Sequence, residues 1–420
     1  MSDMATIRKS CRTVVFISES PLTQRDAKLY GFKAFLRAGL SVEVWDVTDI
    51  YLPRARNQYM DLIPEVTTIR FSNEAELVQT MKTLSPEHVV FCFSGIQASQ
   101  IWSHRRLLRG ISKSPAIFAG LMTLHVATVH RTLGEDLWKA LNEARFTRTD
   151  LKRLQMRLTI ALGKTRIGQR VNRFCVRLAG IRPFDHIWAA TQVTEISFSL
   201  RPSPSSITFI HSLDYEQFIN LSDSGPTDPF ICFIAGTGGL GGDSAMLIPD
   251  SSQLQAYTTE YFRRLNAVLD AIEKRFGLPV VIAAHPRVSP NLYDPWVKGR
   301  KVVHGQTLKL IAQSSLVLAH DSTSISMAVV MRKPLLLIYL GDFAETIDKP
   351  FRNYESIAAF SSMLSCATID WTQRQWADKV LTVSTEVHNV QYDEYVTRIV
   401  KLPGTSHLPF WEIVLDTSLN

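Results

Sequence analysis

The sequence predicts two Rossmann-like α/β halves, the first carrying a basic helical insertion. Short β-branched apolar runs alternate with amphipathic helical segments from Thr13 to Leu121, and the same alternation restarts at Phe230. Between the two blocks lies a polar stretch of Ser222, Asp223, Ser224, Gly225, Pro226, Asp228 and Pro229, the best boundary in the chain. The expected halves are therefore residues 1–225, with the insertion at about 124–182, and residues 226–420. Sheets of this kind bind ligands at the loops leaving the carboxyl ends of their strands, so the halves are expected to face each other across a cleft.

Taken in order, Thr13–Ile17 reads as the first strand, and Leu22–Arg37 as a helix with Leu22, Leu29, Phe32, Phe35 and Leu36 at helical spacing, stopped by Gly39. Strands follow at Ser41–Val47 and Val66–Phe71, a helix at Glu74–Thr83, and strands at His88–Phe93 and Ala116–Leu121. From about 124 to 182 the pattern becomes basic amphipathic helix. Leu151, Leu154, Leu158, Ala161 and Leu162 share one face, and Val171, Phe174 and Leu178 repeat it. Strand signals return at Ile187–Ala190 and Ile207–Ile210. In the second half Phe230–Ala235 is a strand and Thr259–Phe276 a helix ended by Gly277 and Pro279. Val280–Ala284, Lys301–Val303, Leu316–Ala319 and Leu335–Ile338 are strands, with helices at Leu308–Gln313 and Arg374–Val383.

With 420 residues, 45% of them hydrophobic and 20% charged, the chain can bury a sizeable core, which excludes a disordered, collagenous or mini-protein class. No apolar run approaches the ~18 residues of a membrane span, and Val14–Ile17 is too short for a signal-peptide core. The expected address is cytoplasmic. Cys11, Cys92, Cys175, Cys232 and Cys366 form no C-x-x-C and read as buried reduced thiols. Charge is uneven: Arg131 to Arg182 holds thirteen Lys or Arg against four acids, more net charge than the +7 of the whole chain. Aromatics there are limited to Trp138, Phe146 and Phe174, so base stacking is not supported and nucleic acid is not expected as a partner. An anionic membrane surface or a lipid-pyrophosphate acceptor fits that segment, as does a solvated face packed on the protein.

The candidate chemistry lies at strand ends of the second half. Pro286 ends an apolar strand and displays His285 there; for a His-Pro taken alone, a turn whose imidazole caps a backbone group is the simpler reading, and the serine-rich turn that follows tips the balance. His320-Asp-Ser-Thr-Ser324 follows another apolar strand and opens a helix. Ser322, Thr323 and Ser324 are expected to combine capping oxygens with free amides as a phosphate cup, the alternative being an ordinary serine-rich cap. Gly236-Thr-Gly238-Gly-Leu-Gly241 could admit a phosphate close to the backbone, but no clear helix follows Gly241, and a flexible loop is the simpler expectation.

The order strand, His285-Pro286, helix, strand, His320-Asp-Ser-Thr-Ser324 and Lys333-Pro334 resembles the nucleotide-binding half of GT-B glycosyltransferases of bacterial surface polysaccharide synthesis. The likeness is to those with an HP and a Ser-Ser/Thr motif, such as polysialyltransferases and capsule Kdo transferases. It covers roughly Phe230–Leu340, and in the first half it is architectural. The resemblance implies a nucleotide-sugar donor, a glycan or lipid-linked acceptor of capsule or lipopolysaccharide type, and no cofactor. It would make His285 the catalytic group at the donor phosphate, with Pro286, His320, Ser322, Thr323, Ser324, Gly236 and Gly238 around the donor. An inverting transfer also needs a base; Glu19, after the first strand, leads over Asp26 and His125, with a solvated loop carboxylate as the alternative for Glu19.

No D-x-D occurs and no second glutamate stands eight residues after Glu345, where Asn353 is found. An inverting, metal-independent transfer is therefore expected, at the inner face of the plasma membrane if the basic segment binds lipid. Rival readings are a non-hydrolysing sugar-nucleotide epimerase, a CDP-polyol phosphotransferase, and a non-catalytic membrane-surface binding protein.

Overall fold

A computed structural model describes residues 11–53, 63–92, 101, 103–122, 174–191, 200, 203–221, 228–241, 244, 248, 250–347 and 353–419. The first half runs β1 (Thr13–Ser18), α1 (Gln24–Leu29), α2 (Phe32–Arg37), β2 (Ser41–Asp46), α3 (Thr48–Tyr51), β3 (Thr67–Arg70), α4 (Glu74–Met81) and β4 (His88–Cys92). It continues with α5 (Arg105–Lys113), β5 (Ile117–Met122), β6 (His186–Ala189), β7 (Ile207–Phe209) and α6 (Leu213–Ile219). The second runs β8 (Ile231–Ile234), α7 (Ser251–Phe276), β9 (Val280–Ala283), β10 (Val302–Val303), α8 (Thr307–Gln313), β11 (Leu316–Ala319), α9 (Ile325–Val330) and β12 (Leu335–Tyr339). Then come α10 (Tyr354–Leu364), β13 (Ala367–Asp370), α11 (Trp376–Thr382), α12 (Asn389–Tyr395) and α13 (Phe410–Leu419).

Among the described residues the strands form two separate parallel sheets, seven-stranded in the order β3-β2-β1-β4-β5-β6-β7 and six-stranded in the order β10-β9-β8-β11-β12-β13. Each is flanked by helices on both faces, as the sequence predicts. Parallel strands covered on both sides read as unbroken apolar runs, and Ile231–Ile234 and Leu316–Ala319 are buried at every position.

Helix boundaries depart from expectation for local reasons. The single helix expected over Leu22–Arg37 is two, because Thr23 and Asp26 cap α1 reciprocally and Gly31 then enters the left-handed region at φ 62°. A Cβ at Gly31 would also fall 2.1 Å from Cδ1 of Trp411, so only glycine permits the contact. Helix α7 starts eight residues earlier than its apolar stripe suggests, because Asp250 accepts hydrogen bonds from the amides of Ser252 and Gln253.

Helix α13 returns to the first sheet. Phe410, Trp411, Ile413 and Val414 join the core of Val14, Phe16, Phe35 and Phe91, and the Trp411 indole donates to the Leu29 carbonyl at 3.0 Å. On the way the chain passes the connection between the halves, where the Ser212 amide donates to the Val400 carbonyl at 2.7 Å and the Phe410 amide to Glu216 at 2.8 Å.

Trp411→Ala should cost about 3–5 kcal/mol, the usual loss for truncating a buried large aromatic side chain. Gly31→Ala should destabilise by strain and by collision with that same indole. Urea unfolding of both variants checks this; a wild-type midpoint for Trp411→Ala would contradict the role assigned to α13.

Candidate functional site

Strand order locates the crevice in each half. In the second, β9 and β10 lie on one side of β8 and β11 to β13 on the other, so the topological switch falls between the carboxyl ends of β8 and β11. The loop leaving β8 is Gly236–Gly241. It is not the loose loop expected from its composition. Gly238, Gly239 and Gly241 have φ of 58°, 90° and 80°. A Cβ at Gly238 would lie 2.5 Å from Tyr261, and one at Gly239 2.0 Å from the Thr258 hydroxyl. The turn is pressed onto α7, and its glycines are there for that approach.

His285 leaves β9 next to this turn. Its amide donates to the Tyr293 hydroxyl at 3.0 Å, and that hydroxyl donates to the Gly236 carbonyl at 3.2 Å, tying the two turns together. The Arg287 amide donates to His285 Nδ1 at 3.3 Å, which leaves Nε2 to carry the proton of the neutral ring. The Pro286 carbonyl faces Nε2 of His304 at 3.3 Å. His285 and the serine turn do not leave neighbouring strands: β8 runs between β9 and β11, a separation of about 10 Å at two strand spacings. The Gly236 turn fills the gap.

His320, grouped above with the donor-binding residues, has a different task. It is buried, its Nδ1 donates to the Ile338 carbonyl at 2.7 Å, and its Nε2 accepts from the Tyr261 hydroxyl at 2.9 Å. Both nitrogens are committed, burial lowers the pKa, and the neutral ring pins β12 and α7 to the end of β11. The next residue, Asp321, was not singled out from the sequence. Burial pushes its carboxyl up to about 6, against a lowering contribution from the Asn353 side-chain amide at 3.4 Å.

Ser322, Thr323 and Ser324 are half-buried beside it. They do not form the cap expected. Helix α9 has six residues, and Ser324 is its N-cap in helical conformation without a side-chain cap. The amides of Ile325, Ser326 and Met327 bond back to the carbonyls of Ser322, Thr323 and Ser324, and Ser322 Oγ accepts from the Ser324 amide at 3.2 Å. What the turn offers is hydroxyl groups more than free amides.

In the first half the switch falls between β1 and β4. Glu19 stands there, directly after β1. It is not a solvated loop carboxylate: its side chain is 17% exposed and Oε1 lies 3.2 Å from Nε2 of His104, itself 7% exposed. The Tyr51 ring, at the end of α3, packs on the imidazole with centroids 4.1 Å apart, and the Ser103 hydroxyl lies 2.8 Å from His104 Nδ1. His104 was also missed in the sequence, where nothing links it to a residue so far away in the chain.

Asp26 is spent on the α1 cap. His125 and the expected helices up to residue 173 lie outside the described residues. Just beyond, Phe174 and Leu178 are 63% and 73% exposed while Val176 is buried. Cys92, Cys232 and Cys366 are buried as expected, whereas Cys11 and Cys175 are half-buried; all five are free thiols.

No protein-family model matches the chain, and no curated protein matches it. Among solved structures it is similar to the wall teichoic acid polymerase TagF, at 12% identity over 100% of this chain and 91% of that one, TM-score 0.47. It is also similar to the spinosyn forosaminyltransferase SpnP, at 12% identity over 97% and 100% of the chains, TM-score 0.44. A third is UGT89C1 of Arabidopsis thaliana complexed with UDP, at 12% identity over 97% and 100%, TM-score 0.42.

The raised Asp321 carboxyl has a sign that can be measured. A folded pKa of about 6 above the ordinary 3.8 makes the group stabilising relative to the unfolded chain only at low pH, the advantage being lost as pH rises from about 4 through 6. Asp321→Asn should therefore gain stability relative to wild type between pH 4 and pH 7.5, read as the difference in urea midpoints. A difference that does not change with pH would contradict the burial of the carboxylate.

Proposed function

We propose that this protein is a glycosyltransferase that moves a sugar from a nucleotide-sugar donor, held by the second half, to a glycan or lipid-linked acceptor at the first. The transfer is an inverting displacement that uses no divalent metal. The observation that carries the reading is the placement of polar, proton-bearing groups at the topological switch of both parallel sheets: the Gly236 turn and Ser322–Ser324 in one, Glu19 and His104 in the other.

Each group has a task in such a transfer. Gly236 and Gly238 let the donor phosphate approach the backbone, and the hydroxyls of Ser322, Thr323 and Ser324 accept and donate around its oxygens. His285, holding its proton on Nε2, neutralises or protonates the departing phosphate, a task otherwise given to a metal. At the other half, the Glu19–His104 pair supplies the base for the acceptor hydroxyl. A base at the acceptor and a proton donor at the departing phosphate fit single displacement, hence inversion. The basic segment 131–182 is the part of the chain suited to hold it on an anionic membrane from the cytoplasmic side, near a lipid-linked acceptor of a surface polysaccharide.

A thermal-shift screen against CMP, UDP, GDP, CDP and NAD tests the donor site. One pyrimidine or guanine nucleotide should stabilise the protein, by ~2.7 kcal/mol at a hundredfold excess over its Kd. The response should weaken in His285→Ala and persist in excess EDTA. Stabilisation by NAD alone, or a response abolished by EDTA, would overturn the donor assignment. For the membrane, flotation should recover the protein with anionic vesicles at low salt and not at 1 M salt, where the Debye length falls to about 3 Å. Equal recovery with neutral vesicles would rule that arm out.

A further inference from the structure

Glu19 and His104 do more than approach each other; they belong to a string of three side chains that ends in solvent. Glu19 follows β1, Tyr51 closes α3 after β2, and Ser103-His104 sits in the turn that opens α5 after β4. Three separate crossings of the same sheet edge thus converge on one imidazole. The Tyr51 ring packs against it at 4.1 Å with the planes 31° apart, which restricts how the imidazole can turn.

The chemistry of the two neighbours then fixes its tautomer. Glu19 Oε1, a buried atom that makes no hydrogen bond, faces Nε2 at 3.2 Å as an ion-pair contact, and the negative carboxylate favours a proton on the nitrogen it faces, so the proton of the neutral ring belongs on Nε2. Nδ1 is left as an acceptor, and 2.8 Å away from it is the Ser103 hydroxyl, which must be the donor. Glu19 and His104 are enclosed, whereas Ser103 is exposed. A molecule arriving at the crevice meets the serine, not the glutamate.

We infer that Ser103, His104 and Glu19 form a proton relay in which the exposed Ser103 hydroxyl meets the acceptor, His104 takes the proton and Glu19 only orients the ring. The substrate in this statement rests on the glycosyltransferase reading; the activated hydroxyl does not. In the transfer, the acceptor hydroxyl gives its proton to Ser103 Oγ as Ser103 gives its own to His104 Nδ1. The acceptor oxygen bonds to the anomeric carbon, and the bond from that carbon to the donor phosphate breaks with its electron pair going to the phosphate. The imidazolium formed is held against the Glu19 carboxylate. Glu19 is thereby a positioning residue, and the assignment of the base moves from it to His104.

The hydroxyl can be probed without knowing either substrate. Diisopropyl fluorophosphate should label Ser103 in the full-length protein: Oγ bonds to phosphorus, fluoride leaves with its electron pair, and the serine proton passes to His104 Nδ1. Mass spectrometry of the peptide gives the rate. His104→Gln and Glu19→Gln should each slow it at least tenfold, Ser103→Ala should remove it, and Ser103→Thr should retain it in part. Nitrogen-15 NMR of the His104 ring should show the Nε2–H tautomer in wild type and a changed distribution in Glu19→Gln. Labelling no faster than at other exposed serines, or an Nδ1–H tautomer, would overturn the relay even if a nucleotide stabilises the protein. Labelling without any nucleotide response would overturn the glycosyltransferase reading and leave the relay standing.

Discussion

Ile234 pairs with Ala283 on one side and with Ala319 on the other, and this double register of β8 sets the whole second site. The three strands end level, so the residues that follow them, Gly236, His285 and Asp321 to Ser324, emerge at one sheet edge although they are far apart in sequence. The pairing is secured by burial on both faces of β8, where every side chain is enclosed. A one-residue slip would reverse which face each side chain meets and draw His320 out of its contacts with Ile338 and Tyr261.

Those strands were legible in the sequence because burial on both faces leaves an unbroken apolar run with a polar residue just past its end. Helix limits were less so. Apolar periodicity reports the part of a helix that touches the core, and it is silent on the opening turn that Asp250 starts, where Ser251 and Ser252 are exposed. It is equally silent on a break such as Gly31, whose cause is a tryptophan near the other end of the chain. Spatial order was hidden too: β8, the first strand of this half in the chain, runs between the strands that carry His285 and His320, and that insertion is a property of the winding. Asp321 escaped notice because its carboxyl becomes unusual only when buried.

Two histidines illustrate why residue type alone does not settle a role. His320 stands between a carbonyl and a phenol, each of which completes one ring nitrogen, and the result is a neutral fastening. His104 stands between a carboxylate and an exposed hydroxyl, so one nitrogen is charged with holding a proton and the other with receiving one. Sequence favoured the first, inside a motif, and passed over the second. The difference lies in partners drawn from other strands, which only the fold supplies.

The tryptophan of α13 binds the carbonyl of Leu29 across 382 residues of chain. During synthesis the first sheet is therefore made early yet stays uncapped until α13 leaves the ribosome. Its apolar face around Phe16 and Phe35 lacks that cover in the interval, so the nascent chain must keep an almost complete half waiting for α13. A premature stop anywhere in the second half would thus damage the first as well, and the two halves reach their finished state together.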